Sequence, residues 1–314
     1  VGRLVMPDCQ GYPQLAEIVR RCPGSEAIEI FTDPCTTPSQ LAERIRGART
    51  VVHFFGGRPL DTEVLLAERP REVVVAGPVG RAVDTEAARS AGIAVYETPG
   101  LAADSVAEFT LTMLLALAHR MPTAVGSARG WSPANGRDLS GQLLGIVGWG
   151  RIGSRVARLA QGIGMRVAAW SPSLDEATAR AAGAVHMPLD TLLSSADAVS
   201  LHLRATPGNR EIIDARRLAL LGPRTLLVNT ARASLIDMTE LRARLAAGLL
   251  GGVALDVFDV EPLPADDLLR GHPDALVTPH MAWMTDDAVG RFLGAAVAFA
   301  ASEERGEGLV RRVV

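Results

Sequence analysis

The chain of 314 residues contains no lysine, so every one of its 32 basic side chains is an arginine, set against 35 acidic ones for a formal charge of −3. Schiff-base chemistry and a lysine-based phosphate loop are thereby excluded. Nor is there the basic excess that binding a nucleic-acid backbone demands, and no nucleic-acid partner is expected. Cysteine is scarce: Cys9, Cys22 and Cys35 are odd in number, lie outside any C-x-x-C spacing and argue against both paired disulfides and a zinc knuckle, so no metal is expected. Cys9 follows a predicted strand and reads as a small core or surface thiol. No apolar run approaches the roughly 18 to 20 residues of a membrane span. Val1 to Pro7 lacks the basic-then-apolar layout of an export signal, and a cytoplasmic location is expected.

What the sequence does have is core: 48% of its residues are hydrophobic, enough at this length for two domains of ordinary size. Short apolar runs at Arg3 to Met6, Ile28 to Phe31, Thr50 to Phe55, Glu72 to Ala76 and Ile93 to Tyr96 alternate with helix-like stretches such as Tyr12 to Arg20 and Pro38 to Arg46. That alternation predicts βαβ units and a parallel sheet. Ala103 to Met121 then reads as a helix whose apolar residues cover more than one face, buried between domains, at a subunit interface or in a single core. Gly126 to Ser140 reads as a surface loop. A second series of strands follows at Leu143 to Val147, Met165 to Trp170, Ala198 to Leu203, Thr225 to Asn229, Gly252 to Leu255 and Ala275 to Val277. Asp286 to Glu304 is helical by pattern, with a short polar tail after it.

The strand Leu143 to Val147 runs into Gly148-Trp149-Gly150-Arg151-Ile152-Gly153, then a helical segment, then a new strand. In that context G-x-G-x-x-G points to a dinucleotide site. Gly148 permits the tight turn, Gly150 lets backbone approach a pyrophosphate, Gly153 lets helix and strand pack closely, and the N–H groups from Arg151 and Ile152 onward face the anion. An acid that would accept from the ribose is expected at the end of the next strand, but Ala169-Trp170-Ser171-Pro172 offers Ser171 instead. No arginine stands beside it to attract a 2′-phosphate; NAD is the expected cofactor, with NADP left open.

Three further strand ends each deliver a polar group: Asn229-Thr230-Ala231-Arg232, then Leu255-Asp256-Val257-Phe258-Asp259-Val260-Glu261, then Thr278-Pro279-His280-Met281-Ala282-Trp283. With the glycine motif, these resemble the D-isomer-specific 2-hydroxyacid dehydrogenase family, which includes 3-phosphoglycerate dehydrogenases and glyoxylate or hydroxypyruvate reductases. Thr98-Pro99-Gly100 and Ser105-Val106-Ala107-Glu108 extend the resemblance over nearly the whole chain.

The resemblance implies an α/β fold of two Rossmann-like domains with parallel sheets and an active site in the interdomain cleft. It assigns residues 1–102 and 283–314 to a substrate-binding domain and 103–282 to a dinucleotide-binding one. It implies hydride transfer between a nicotinamide and a 2-keto or D-2-hydroxy acid, with Arg232 binding the substrate carboxylate, Glu261 orienting His280, and His280 acting as acid and base. By the same resemblance Asp256 anchors the nicotinamide carboxamide, Thr206 and the His202 segment line the adenosine half, and Thr230 and Ala231 lie beside the cofactor. On the substrate side it points to Phe55 and Gly56 after one strand, the backbone of Val79 and Gly80 after another, and Trp283. Of the adjacent Phe54 and Phe55, strand alternation puts one in the core. Ala233 stands where many relatives have glycine, and Leu101-Ala102 where many have asparagine, which weakens the detail of cofactor and substrate contacts. A regulatory domain appended to the chain and control by an amino acid are not expected; a homodimer is. The other roles open to this fold are a dinucleotide-sensing corepressor and a dehydrogenase of formate or phosphite.

Overall fold

The computed structural model describes residues 2–9, 14–125, 133–302 and 309–314. Tyr12 and Pro13, the first half of the expected surface loop (residues 126–132), and Glu303 and Glu304 lie outside them. The chain divides into two compact units, one of residues 1–102 and 284–314, the other of residues 103–283.

The first unit opens with β1 (Leu4–Met6), α1 (Leu15–Arg20), β2 (Ile28–Ile30), α2 (Pro38–Ile45), β3 (Thr50–Phe54), α3 (Thr62–Glu68), β4 (Glu72–Ala76), α4 (Thr85–Ala91) and β5 (Ala94–Glu97). Helix starts are fixed by side-chain caps: Thr37 for α2 with Pro38 behind it, Asp61 for α3 and Asp84 for α4 each accept from N–H groups of the first turn. β3 and β4 are buried along their whole length, as strands covered on both faces must be. Phe54 is the core residue of the adjacent pair and Phe55 is half-buried.

The second unit begins with the long α5 (Ala103–Ala118) and short α6 (Met121–Val125). It continues through β6 (Leu143–Val147), α7 (Arg151–Gly162), β7 (Arg166–Trp170), α8 (Glu176–Ala181), β8 (Val185–His186) and α9 (Leu189–Ser195). β9 (Ala198–Leu201), α10 (Ala215–Leu218), β10 (Leu226–Asn229), α11 (Met238–Ala246), β11 (Gly252–Leu255) and β12 (Ala275–Val277) complete it. These strands form one parallel sheet in the order β12-β11-β10-β9-β6-β7-β8. The order reverses at β6 and β9, and a doubly wound sheet opens its crevice at that point, at the carboxyl ends of its strands. Helix α5 packs within this unit against α7, β10 and β11, burying Val106, Ala107, Met113, Leu114 and Leu117, while Leu111 and Leu115 stay half-buried.

The chain then returns to the first unit as α12 (Asp286–Ala301), capped by Thr285, and β13 (Arg311–Arg312). The expected polar tail is in fact a strand: β13 pairs antiparallel with β5, completing a sheet ordered β13-β5-β4-β3-β1-β2 whose other pairs are parallel. Charge draws it there, because the buried Glu97 carboxylate takes the Arg311 guanidinium. Cys9, Cys22 and Cys35 are buried free thiols, and burial pushes Cys9 up to about 11, so it is inert at neutral pH.

Candidate active site

The glycine turn sits at the switch point of the second sheet. Gly148 has φ +108°, and a Cβ there would lie 2.6 Å from the His202 carbonyl carbon and Leu203 nitrogen, so only glycine lets β6 and β9 end side by side. A Cβ on Gly153 would lie 2.0 Å from the Gly148 oxygen, which is the close helix–strand packing expected of the third glycine. A Cβ on Gly150 would meet nothing within 4 Å. Gly150 is the N-cap of α7, no side chain caps that helix and no acid stands in its first turn. The helix therefore presents uncapped N–H groups, and the positive end of its dipole, to open space beside Gly150. Such a cradle fits a pyrophosphate, with Gly150, Arg151, Ile152 and Gly153 around it.

Ser171 follows the end of β7, and the nearest carboxylate downstream, Asp175, is engaged in capping α8 through the Thr178 N–H. His202 follows β9; its Nε2 lies 2.8 Å from Ser200 Oγ, and burial pushes its pKa down to about 3. A ring held neutral in this way is a wall of the crevice and not an acid. Thr206 caps the short turn Pro207–Asn209 through a reciprocal capping box with Asn209.

Next along the sheet, the turn after β10 is tied by a residue that sequence reading passed over. Asn229, fully buried, accepts from the Ala231 N–H at 2.9 Å and donates its amide to the Arg232 carbonyl at 2.9 Å. This closed loop aims Arg232 outward, with Nη1 2.6 Å from the Ala231 oxygen. Thr230 is buried and shares a 2.8 Å hydrogen bond with Thr110 of α5.

Beyond β11 and β12 stand the acid and the histidine. His280 Nδ1 lies 2.8 Å from Glu261 Oε2, and the side chains are 38% and 37% exposed, so the pair is within reach of a bound molecule. A carboxylate only accepts, so Nδ1 carries the proton and Nε2 is left to exchange one. Burial would raise the Glu261 pKa, but the hydrogen bonds from His280 and the Phe258 N–H (3.0 Å), with the nearby charges of His280 and Arg232, outweigh it and lower it. Glu261 is thus a fixed anion.

The turn that carries His280 is itself clamped. Thr278 Oγ1 donates to Asp256 Oδ1 at 2.6 Å, the Met281 N–H to the same oxygen at 2.8 Å, and the Ala282 N–H to Oδ2 at 2.8 Å. Asp256 is 1% exposed, and burial raises its pKa against the pull of these three donors. His280 has φ +54°, a left-handed backbone that costs a non-glycine residue about 1 kcal/mol or more, and the clamp grips it from both sides. Thr278 was a second residue missed; an alcohol three places after a strand start carries no pattern of its own. Trp283, expected on the substrate side, belongs to the second unit, and its indole N–H donates to the His280 carbonyl at 3.2 Å. Asp259, the other acid near Glu261 in sequence, is exposed.

The remaining substrate-side residues lie in the first unit. The Phe55 ring packs on Phe54 and Phe292, with centroids 5.0 and 5.7 Å away. Gly56 is exposed. The Val79 N–H, expected as a carboxylate donor, is committed to Glu97 Oε2 at 2.9 Å, because Glu97 is buried and needs donors. Gly80, exposed at φ +44°, has no such partner among the described residues.

Residues 111–282 match the family model described as D-isomer specific 2-hydroxyacid dehydrogenase, NAD binding domain. A glyoxylate reductase of Korarchaeum cryptofilum is 34% identical over 77% of this chain and 75% of its own. The chain belongs to the D-isomer specific 2-hydroxyacid dehydrogenase family. A D-3-phosphoglycerate dehydrogenase of Methanocaldococcus jannaschii is likewise 34% identical over 80% of this chain, which spans 49% of that longer protein. Among solved structures, the apo form of D-lactate dehydrogenase from Escherichia coli superposes with a TM-score of 0.79 at 25% identity, covering 95% of each chain. Membership makes the protein an NAD-dependent oxidoreductase of 2-hydroxy and 2-keto acids.

Proposed function

We propose that His280 is the acid and base of a reversible reduction of a 2-keto acid to a D-2-hydroxy acid. NAD, when bound in its reduced form, supplies the hydride that reaches the carbonyl carbon. His280 Nε2 gives a proton to the carbonyl oxygen in that direction and takes it back in the other. Glu261, anionic and hydrogen-bonded to Nδ1, fixes the ring orientation and stabilises the imidazolium before the proton leaves. Arg232, turned outward by Asn229, offers a planar fork to the substrate carboxylate and polarises the keto oxygen. Asp256 holds the His280 turn and has one acceptor position of Oδ2 left for a carboxamide.

The observation that carries this reading is the 2.8 Å Glu261–His280 pair at strand ends adjoining that of Arg232. A homodimer is part of the proposal, and the half-buried Leu111 and Leu115 of α5 support it. The test is the loss of NADH absorbance across aliphatic, aromatic and phosphorylated 2-keto acids, with His280→Ala beside the native protein. Turnover of at least one acid, lost in the variant, is the expected result. Equal turnover by the variant would remove His280 from the chemistry.

A further inference from the structure

At the opposite end of the second sheet from the glycine turn, the N-terminal ends of β10 and β11 border a cavity of about 210 Å³. Arg120, Arg137 and Arg224 line it, with Gly136 and Gly251 in its walls. We propose that this cavity is an anion site that takes a phosphate group between Arg137 and Arg224.

The arginines are not equivalent. Arg120 is spent on Asp274, 2.8 Å away. Arg137, half-buried, gives one N–H to the Asp197 carbonyl at 3.1 Å, and its backbone N–H to the Ala118 carbonyl at 2.9 Å, which fixes it at the wall. Arg224 is exposed and makes no side-chain hydrogen bond or ion pair among the described residues. Asp197, the acid whose charge acts on Arg137, has a carboxylate oxygen committed to the Leu143 N–H at 2.8 Å. Two arginines thus line one cavity, and among the described residues no carboxylate is bonded to either side chain. Their mutual repulsion is visible at Arg137, whose pKa is pressed down first by burial and then by the Arg224 charge, with Asp197 opposing. An anion that bridges the two forks turns this repulsion into charge-assisted hydrogen bonding, and phosphate has the oxygen spacing that guanidinium forks match. The volume is below the roughly 300 Å³ at which pockets for drug-sized ligands begin, so a phosphate group fits and a dinucleotide does not.

The test is thermal unfolding of the full chain, saturated with NAD so that the cradle at Gly150 is filled, in inorganic phosphate against chloride at equal ionic strength and pH. The native protein should show a saturable rise in Tm of about 3 °C at ten times the phosphate Kd. Arg224→Gln should abolish that rise, and Arg224→Glu should raise Tm without phosphate by pairing with Arg137 and then ignore phosphate. Arg232→Gln should keep the rise, which separates this cavity from the substrate site. Methyl phosphate in place of the free ion assigns the source: tighter binding points to a phosphomonoester, weaker binding to inorganic phosphate. No rise beyond chloride, an equal rise in Arg224→Gln, or its loss in Arg232→Gln would overturn the proposal.

Discussion

Asp256 Oδ1 accepts the Met281 N–H at 2.8 Å, directly after His280, whose ring faces Glu261. Together with the bonds to Thr278 and Ala282 this makes Asp256 the anchor of a left-handed turn. Asp256→Asn puts an amide N–H₂ where backbone donors now point, and the turn loses its grip on one side. Turnover should fall about 10- to 100-fold, more than NADH affinity falls, as for loss of a group that positions an acid. Steady-state kinetics and fluorescence titration of NADH measure the two; a loss of affinity as large as the loss of turnover would make Asp256 a cofactor contact first.

Glycines at the switch point separate fold from ligand. Gly153→Ala forces a Cβ to within 2.0 Å of the Gly148 oxygen and should lower stability by about 1–3 kcal/mol, read from denaturant midpoints. Gly150→Ala meets nothing within 4 Å and should leave stability within about 1 kcal/mol, yet weaken NAD binding at least about tenfold by filling the pyrophosphate cradle. Unchanged NAD affinity in Gly150→Ala would place the anion elsewhere.

Glu261→Gln preserves shape and removes the anion. Because Glu261 is held below its ordinary pKa by hydrogen bonds from His280 and Phe258, its stabilising share is present above pH ~4.5 and is lost as pH falls through the folded value. The variant should therefore lose less stability than native protein between pH 5 and 3, while kcat drops about 100-fold. Full kcat in the variant would make the pair decorative.

His53 gives a pH effect of opposite origin. It is fully buried in β3, neither ring nitrogen has a hydrogen-bond partner among the described residues, and burial, only partly offset by Asp8, lowers its pKa from 6.5 to about 4. The unfolded chain takes up a proton near pH 6.5 and the folded one does not until about 4, so stability falls as pH drops between these values, by on the order of 3 kcal/mol in all. His53→Leu, apolar and of similar size, should be near neutral at pH 8 and more stable than native protein at pH 4.5. Parallel loss in both would assign the acid sensitivity to other groups such as His202.

Much of this was legible in the sequence because burial on both faces writes strands as continuous apolar runs, and a glycine turn between two of them has few other uses. Leu143 to Val147, Glu72 to Ala76 and Gly252 to Leu255 are found where their runs lie. What escaped was set by partners distant in sequence. Arg311 and Arg312 look like a polar tail until the buried Glu97 is seen to need them. Val79 looks like a free donor until the same Glu97 claims its N–H. Asn229, Thr278 and the clamp role of Asp256 depend on how neighbouring strands end in register, which no single segment encodes.

The central claim is that His280 moves the proton, and one comparison reaches it: turnover of a 2-keto acid by native protein and His280→Gln, with NADH affinity measured in both. A fall in kcat of about 1,000-fold or more at unchanged NADH Kd is the predicted result. Turnover within tenfold of native, at the same affinity, would contradict it.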